Sequence, residues 1–221
     1  MFIGHYAVGL AGRAAPFRPG LGVWFLAVQL PDLIWPALVL LGVERVRIEP
    51  GNTPVTPLAF DHYPYTHSLL GTLVLAVALG ALYRWRTGER AGAAWLGGAV
   101  LSHWLLDALS HRPDLLLWPG GAVKVGLGLW HSPLATVLVE GALFAVGAAL
   151  YLRATRPLDR TGRWAPWALL GLLAAIYAAN LLGPPPPNVT AMAVTGLVGL
   201  WAFVPFAAWV DRHRAPRAAR D

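Results

Sequence analysis

The chain has 221 residues, of which 57% are hydrophobic and only 13% charged, with a formal net charge of +6. A soluble domain carries about 25% charged residues, so the composition excludes an ordinary water-soluble enzyme and points to a membrane-embedded protein. Cysteine is absent, which excludes disulfides and thiolate ligands and leaves nitrogen and oxygen donors for any metal.

The opening "MFIGHYAVGLAGR" lacks the basic leader of a signal peptide, so no cleavage is expected. Residues 2–12 are too short to cross a bilayer, which needs about 20 apolar residues. One reading makes them a half-helix that lifts His5 about 12 Å into the membrane; the other lays them on its surface. Six stretches come near spanning length: 21–42, 68–84, 91–110, 132–153, 164–183 and 188–210. Between them lie "RWRTGER", "RATRPLDRTGR", "GPPPPN" and two longer polar loops, 43–67 and 111–131. The expected fold is all-α: a polytopic helix bundle of about six spans plus the N-terminal half-helix, one integral membrane domain over 1–221.

All basic residues but Lys124 are arginines, and they cluster in the short links rather than on a nucleic-acid-binding face. Six crossings put 13 arginines on one side: Arg13, Arg18, Arg84, Arg86, Arg90, Arg153, Arg156, Arg160, Arg163, Arg212, Arg214, Arg217 and Arg220. The positive-inside rule then places both termini in the cytoplasm and the two long loops outside. Tryptophans near the span ends (Trp85, Trp118, Trp130, Trp164 and Trp209) read as an interfacial belt.

Ionisable groups within spans are costly and mark function by default. At about 1.5 Å per residue, Asp32, His103 and Glu140 fall about 10–15 Å below the outer ends of three different spans. In "HWLLDALSH", His103, Asp107 and His111 recur every four residues and share a helix face. An imidazole and a carboxylate one turn apart can ligate one cation, or simply hydrogen-bond each other. In "DHYPYTHS", Thr66 or Ser68 is positioned to cap the next helix, placing His67 in its first turn where the macrodipole favours a neutral ring. Asp61 and His62 precede it as further candidate ligands. "QLPDLIWP" sets Asp32 between two prolines inside a span. His131 reads as a rim residue, and His213 as a solvated one in the basic tail.

These residues resemble a bacterial inner-membrane family of metal-dependent hydrolases, some members of which are described as LexA-regulated. The resemblance rests on "GH" at 4–5, "PD" at 31–32, "HYPYTHS" at 62–68, "HWLLD" at 103–107 and "LLWP" at 116–119. It covers residues 1–135; residues 136–221 read as additional membrane helices and a basic tail. It implies that His5, Asp32, His62, His67, His103 and Asp107 are metal ligands. The family often carries an acid two residues after the "PD" aspartate and an arginine after the first loop histidine, where this chain has Ile34 and Tyr63.

The expected function is a membrane-embedded hydrolase of a lipid-derived ester or phosphoester, using a divalent metal, Zn²⁺ or Mn²⁺, to activate water. Asp32 and Glu140 are the candidate catalytic carboxylates. Membrane lipids are the expected surroundings and nucleic acid is not an expected partner. The alternative is a proton- or cation-coupled transporter in which Asp32 and Glu140 form the relay. A third reading gives the polar layer only a helix-packing role.

Overall fold

A computed structural model describes residues 1–15 and 19–217. Arg18 and Arg220 lie outside those residues. In chain order the elements begin with helices α1 (Ile3–Ala14), α2 (Leu21–Val28) and α3 (Leu30–Leu40), followed by a hairpin of β1 (Arg45–Ile48) and β2 (Leu58–His62). Next come the single turn α4 (Pro64–His67) and the long helices α5 (Leu69–Thr87) and α6 (Arg90–Ser110). The short strands β3 (Leu115–Leu116) and β4 (Lys124–Val125) lead into α7 (Pro133–Ala154) and β5 (Thr155–Pro157). The chain then forms α8 (Arg160–Leu182), α9 (Val189–Arg212) and β6 (Arg214–Pro216).

Two expectations need correction. The protein is mostly helical, but it is not all-α. Antiparallel pairs β1–β2, β3–β4 and β5–β6 organise what were expected to be irregular loops, because backbone N–H and C=O groups there need partners. The span count also changes. Among the described residues, α5, α7, α8 and α9 are long and apolar enough to cross a membrane, and α2 and α3 qualify only as a pair bent by 54°. The 21-residue α6 has the length, but Ser102, His103 and Asp107 dilute its apolarity, and it falls outside that set.

The break between α2 and α3 falls at Gln29, with Pro31 in the first turn of α3, where its missing N–H costs nothing. Asp32 therefore stands at a helix start rather than in the middle of a continuous span.

One end of the bundle collects the arginines and the other the site. At the arginine end, Arg13 donates to Asp211 of α9 from 2.8 Å, and the backbone N–H of Leu21 reaches the same carboxylate from 3.1 Å. Asp211 thus ties the end of α1 to the start of α2. The expected free basic tail is also partly structured. Arg214 is buried and donates to Thr155 Oγ1 (2.8 Å), the Thr155 carbonyl (3.0 Å) and the Gly162 carbonyl (2.6 Å). His213, expected to be solvated, lies 2.6 Å from Asp159.

The core is apolar. Tyr6, Leu10, Phe25, Tyr151, Leu169 and Phe203 pack α1 and α2 against α7, α8 and α9. Helix α1 approaches α7 so closely that a Cβ at Gly147 would collide with the Ala7 carbonyl. Val77, Leu138, Val146 and Val198 are exposed on the outside of the bundle, as lipid-facing residues must be. Trp85, Trp118, Trp164 and Trp209 are exposed near the helix ends, while Trp130 instead packs on His111, with ring centroids 4.2 Å apart.

Candidate metal centre

The buried face of α6 sets the geometry. His103 Nδ1 lies 2.8 Å from the Val28 carbonyl at the end of α2. A carbonyl only accepts, so Nδ1 carries the ring proton and Nε2 of the neutral ring presents a lone pair. That Nε2 is buried and, among the described residues, has no aligned hydrogen-bond partner, although Asp107 Oδ2 is 3.1 Å away and Asp32 Oδ1 is 3.7 Å away. The atoms are close yet not aligned with each other.

Helices α1, α3 and α4 bring the remaining donors. His5 stacks on His103 and places Nε2 3.1 Å from the other carboxylate oxygen, Asp107 Oδ1. His67 Nε2 lies 3.2 Å from Asp32 Oδ1 and 3.9 Å from Asp107 Oδ2. Two ligand sets result, His5–His103–Asp107 and Asp32–His67–His103, and they share His103. Bonds of about 2.0–2.2 Å at tetrahedral angles would separate adjacent ligand atoms by about 3.3 Å. Three of the observed separations, 3.1, 3.1 and 3.2 Å, lie near that spacing and also within hydrogen-bond range, and the fourth is 3.7 Å. With an orphaned Nε2 at the centre, the donor set fits a divalent ion.

Burial is strongly graded across the site. The side chains of His5 and His103 are 1% exposed and that of Asp107 is 3%, whereas Asp32 is 25% exposed. Asp32 therefore marks the opening. The Met1 amine is buried beside Asp107 Oδ1, so α1 starts at the site and runs towards the arginine end.

Local structure explains the position of His67. Ser68 is the N-cap of α5, accepting from the Gly71 N–H at 3.0 Å, so His67 belongs to the preceding turn α4 and not to the first turn of α5. Gly71 allows the start of α5 to lie against the Tyr65 carbonyl, where any Cβ would collide.

Five of the six candidate ligands come together. His62 does not: it is half-buried at the end of β2, paired in register with Arg45 and outside both ligand sets. Asp61 is exposed and bonded to Arg47 at 2.7 Å, and that guanidinium holds its carboxyl below the usual range. His131 is exposed. Glu140 is buried near the start of α1 but lies outside both ligand sets. Its Oε2 accepts from the backbone N–H groups of Phe2 (2.9 Å) and Gly4 (3.2 Å). It thereby caps α1, satisfying donors that have no intrahelical partner.

Four neighbours lie outside the expected ligand set: Asp114, Tyr63, His111 and Glu44. Asp114 accepts from the Tyr63 hydroxyl at 2.6 Å and faces His111 Nδ1 at 3.0 Å, leaving His111 Nε2 directed at Asp107 Oδ1 from 3.9 Å. Burial and the adjoining Asp114 carboxylate push the Tyr63 phenol well above its ordinary value, so it acts as a donor. Glu44 is fully buried and bonded to Thr66, the residue before His67. The four-residue spacing of His111 from Asp107 was a usable signal. For Glu44 and Asp114, which lie in connecting segments, sequence offers none.

A family model described as YdjM inner membrane protein matches residues 1–185. The chain belongs to that family. The YdjM match begins with α1, includes every candidate ligand and extends past residue 135 through α8. It makes this an inner membrane protein. No curated protein and no solved structure matches the chain.

Proposed function

We propose that this protein is a membrane-embedded, metal-dependent hydrolase acting on a lipid-derived ester or phosphoester. The observation that carries the reading is the bare Nε2 of His103, its proton committed to the Val28 carbonyl, facing two carboxylates. Acceptor set against acceptor in a buried layer is unfavourable unless a positive charge, either a second ring proton or a metal ion, lies between them. His5, His67, His103, Asp32 and Asp107 would hold a divalent ion, Zn²⁺ or Mn²⁺ by donor type. Bound there, it would lower the pKa of a coordinated water and polarise the scissile group.

The protein's own residues do the rest. Asp107 faces His5 with one oxygen and His103 with the other, which leaves Asp32, at the opening, as the carboxylate placed to take a proton from incoming water. Glu140 caps α1 and is not proposed as the base. Exposed Tyr65, Leu69 and Leu70 flank His67 in the chain and give the entrance an apolar rim suited to acyl chains. In this reading α6 is the sixth span, and the arginine-rich end of the bundle faces the cytoplasm.

The test is elemental analysis of detergent-purified protein together with lipid ester and phosphoester hydrolysis. Near-stoichiometric metal and hydrolysis, both lost in His103→Ala while the fold persists, are expected. Hydrolysis by metal-free protein would overturn the reading.

Cation-coupled transport has one observation in its favour. The bundle contains a broken α2–α3 pair with Gln29 buried at the break. Uptake into proteoliposomes that follows Asp32 substitutions, without hydrolysis, would establish it instead.

A further inference from the structure

We infer that Glu44, acting through the Thr66 hydroxyl, sets which nitrogen of His67 faces the candidate metal centre. The inference deepens the proposed function and rests on it for the consequence to metal binding, though not for the hydrogen-bond geometry itself. Glu44 follows the turn that ends α3 and is fully buried. Its Oε1 accepts from the backbone N–H groups of Tyr65 (2.8 Å) and Thr66 (3.0 Å), and its Oε2 accepts from the Thr66 hydroxyl (2.7 Å). Thr66 Oγ1 also lies 2.7 Å from His67 Nδ1.

The direction of this chain follows from valence. A carboxylate has no proton to give, so the single hydroxyl proton of Thr66 goes to Glu44. Thr66 Oγ1 can then only accept from His67, which fixes the ring proton on Nδ1. The neutral ring is left with a lone pair on Nε2, the atom 3.2 Å from Asp32 Oδ1. His103 reaches the same state by a different route, through the Val28 carbonyl. Two imidazoles on separate elements are thus locked in the tautomer that ligates through Nε2. Such outer partners hold ring orientation as well as proton position. Glu44 and Thr66 are positioning residues: neither belongs to a ligand set.

Glu44→Gln provides a discriminating test. The amide oxygen can still accept from the Tyr65 and Thr66 N–H groups, so the corner between α3 and β1 keeps its backbone bonds. The amide nitrogen, however, donates to Thr66 Oγ1 and reverses the chain. Thr66 then donates to His67 Nδ1, and the ring proton moves to Nε2. The experiment has two readouts on the full-length protein in detergent. The first is the His67 tautomer by ¹⁵N NMR of metal-free protein, which is expected to switch from Nδ1–H to Nε2–H. The second is Zn²⁺ or Co²⁺ affinity by competition, expected to fall on the order of 10–100-fold, the usual effect of removing an outer-shell partner. Thr66→Val should lose the Nδ1–H bond and weaken metal binding, and Thr66→Ser, which restores the hydroxyl, should recover both. An unchanged tautomer in Glu44→Gln, or equal metal affinity in Thr66→Val and Thr66→Ser, would overturn the inference. Wild-type protein that binds no metal but shows the tautomer switch would overturn the hydrolase reading and leave the relay standing.

Discussion

His5 and His103 are stacked face to face, their ring centroids 3.8 Å apart and their planes within 8° of parallel. Each directs Nε2 at a different oxygen of Asp107, both from 3.1 Å. Two positive rings at that distance would repel by about 4 kcal/mol at an effective dielectric of about 20. In the proposed metal-bound protein, one shared cation would allow both to remain neutral and still satisfy the carboxylate, and it would tie α1 to α6 through the centre.

Because His62 lies apart from both ligand sets, His62→Ala is expected to leave metal content unchanged. His5→Ala should instead reduce metal affinity beyond the about 10–100-fold typical of outer-shell changes. Elemental analysis of the two variants side by side decides the matter; equal losses would place His62 back in the site.

Glu140 caps α1, so its removal should act on folding. Glu140→Ala leaves the Phe2 and Gly4 N–H groups without their acceptor and is expected to destabilise by about 1–3 kcal/mol. Glu140→Gln, which retains a carbonyl acceptor, should lose less. Thermal unfolding in detergent reads both. Full stability with abolished hydrolysis in Glu140→Gln would instead mark Glu140 as catalytic.

The contact between α1 and α7 leaves no space at Gly147. Gly147→Val is expected to displace α1 and to destabilise by about 1–3 kcal/mol through overpacking. Since α1 carries His5, metal affinity should fall with it, although residue 147 touches no ligand set. Retained affinity in a well-folded variant would mean that α1 does not support the centre.

At the arginine end, Asp159 is the N-cap of α8. The Gly162 N–H (2.7 Å), and after it His213 (2.6 Å), hold its carboxyl below the usual carboxylate range. A depressed folded-state pKa means that this contribution to stability is present above about pH 4 and is lost as pH falls through the folded value. The difference in Tm between wild type and Asp159→Ala should therefore shrink on acidification below pH 4. A gap independent of pH would show that the charge plays no part.

What could be read from the sequence depended on spacing within an element. His103 and Asp107 share a face because both lie on one helix, and Asp32 and His67 could be placed near them by depth. His62 was read as a candidate ligand because Pro64 suggested an irregular loop; β2 pairs with β1 and holds His62 opposite Arg45, outside both ligand sets. Glu140 was read as a catalytic candidate from its depth in a span; the structure adds that it accepts from the Phe2 and Gly4 N–H groups at the start of α1. Glu44 and Asp114 act across turns, and no local period marks such residues. Helix α6 has spanning length, but the groups that make it interesting also make it less apolar, so it falls outside the set that length and apolarity select.

Asp211 lies beyond the family match, in the last helix, and touches no candidate ligand. Yet its carboxylate holds both Arg13, at the foot of the helix bearing His5, and the first turn of the half-helix whose far end supports His103. A chain cut after residue 185 would keep every imidazole and carboxylate of the centre and lose the peg to which two of their supports are tied. The chemistry would still be encoded, but the scaffold would no longer hold it in register.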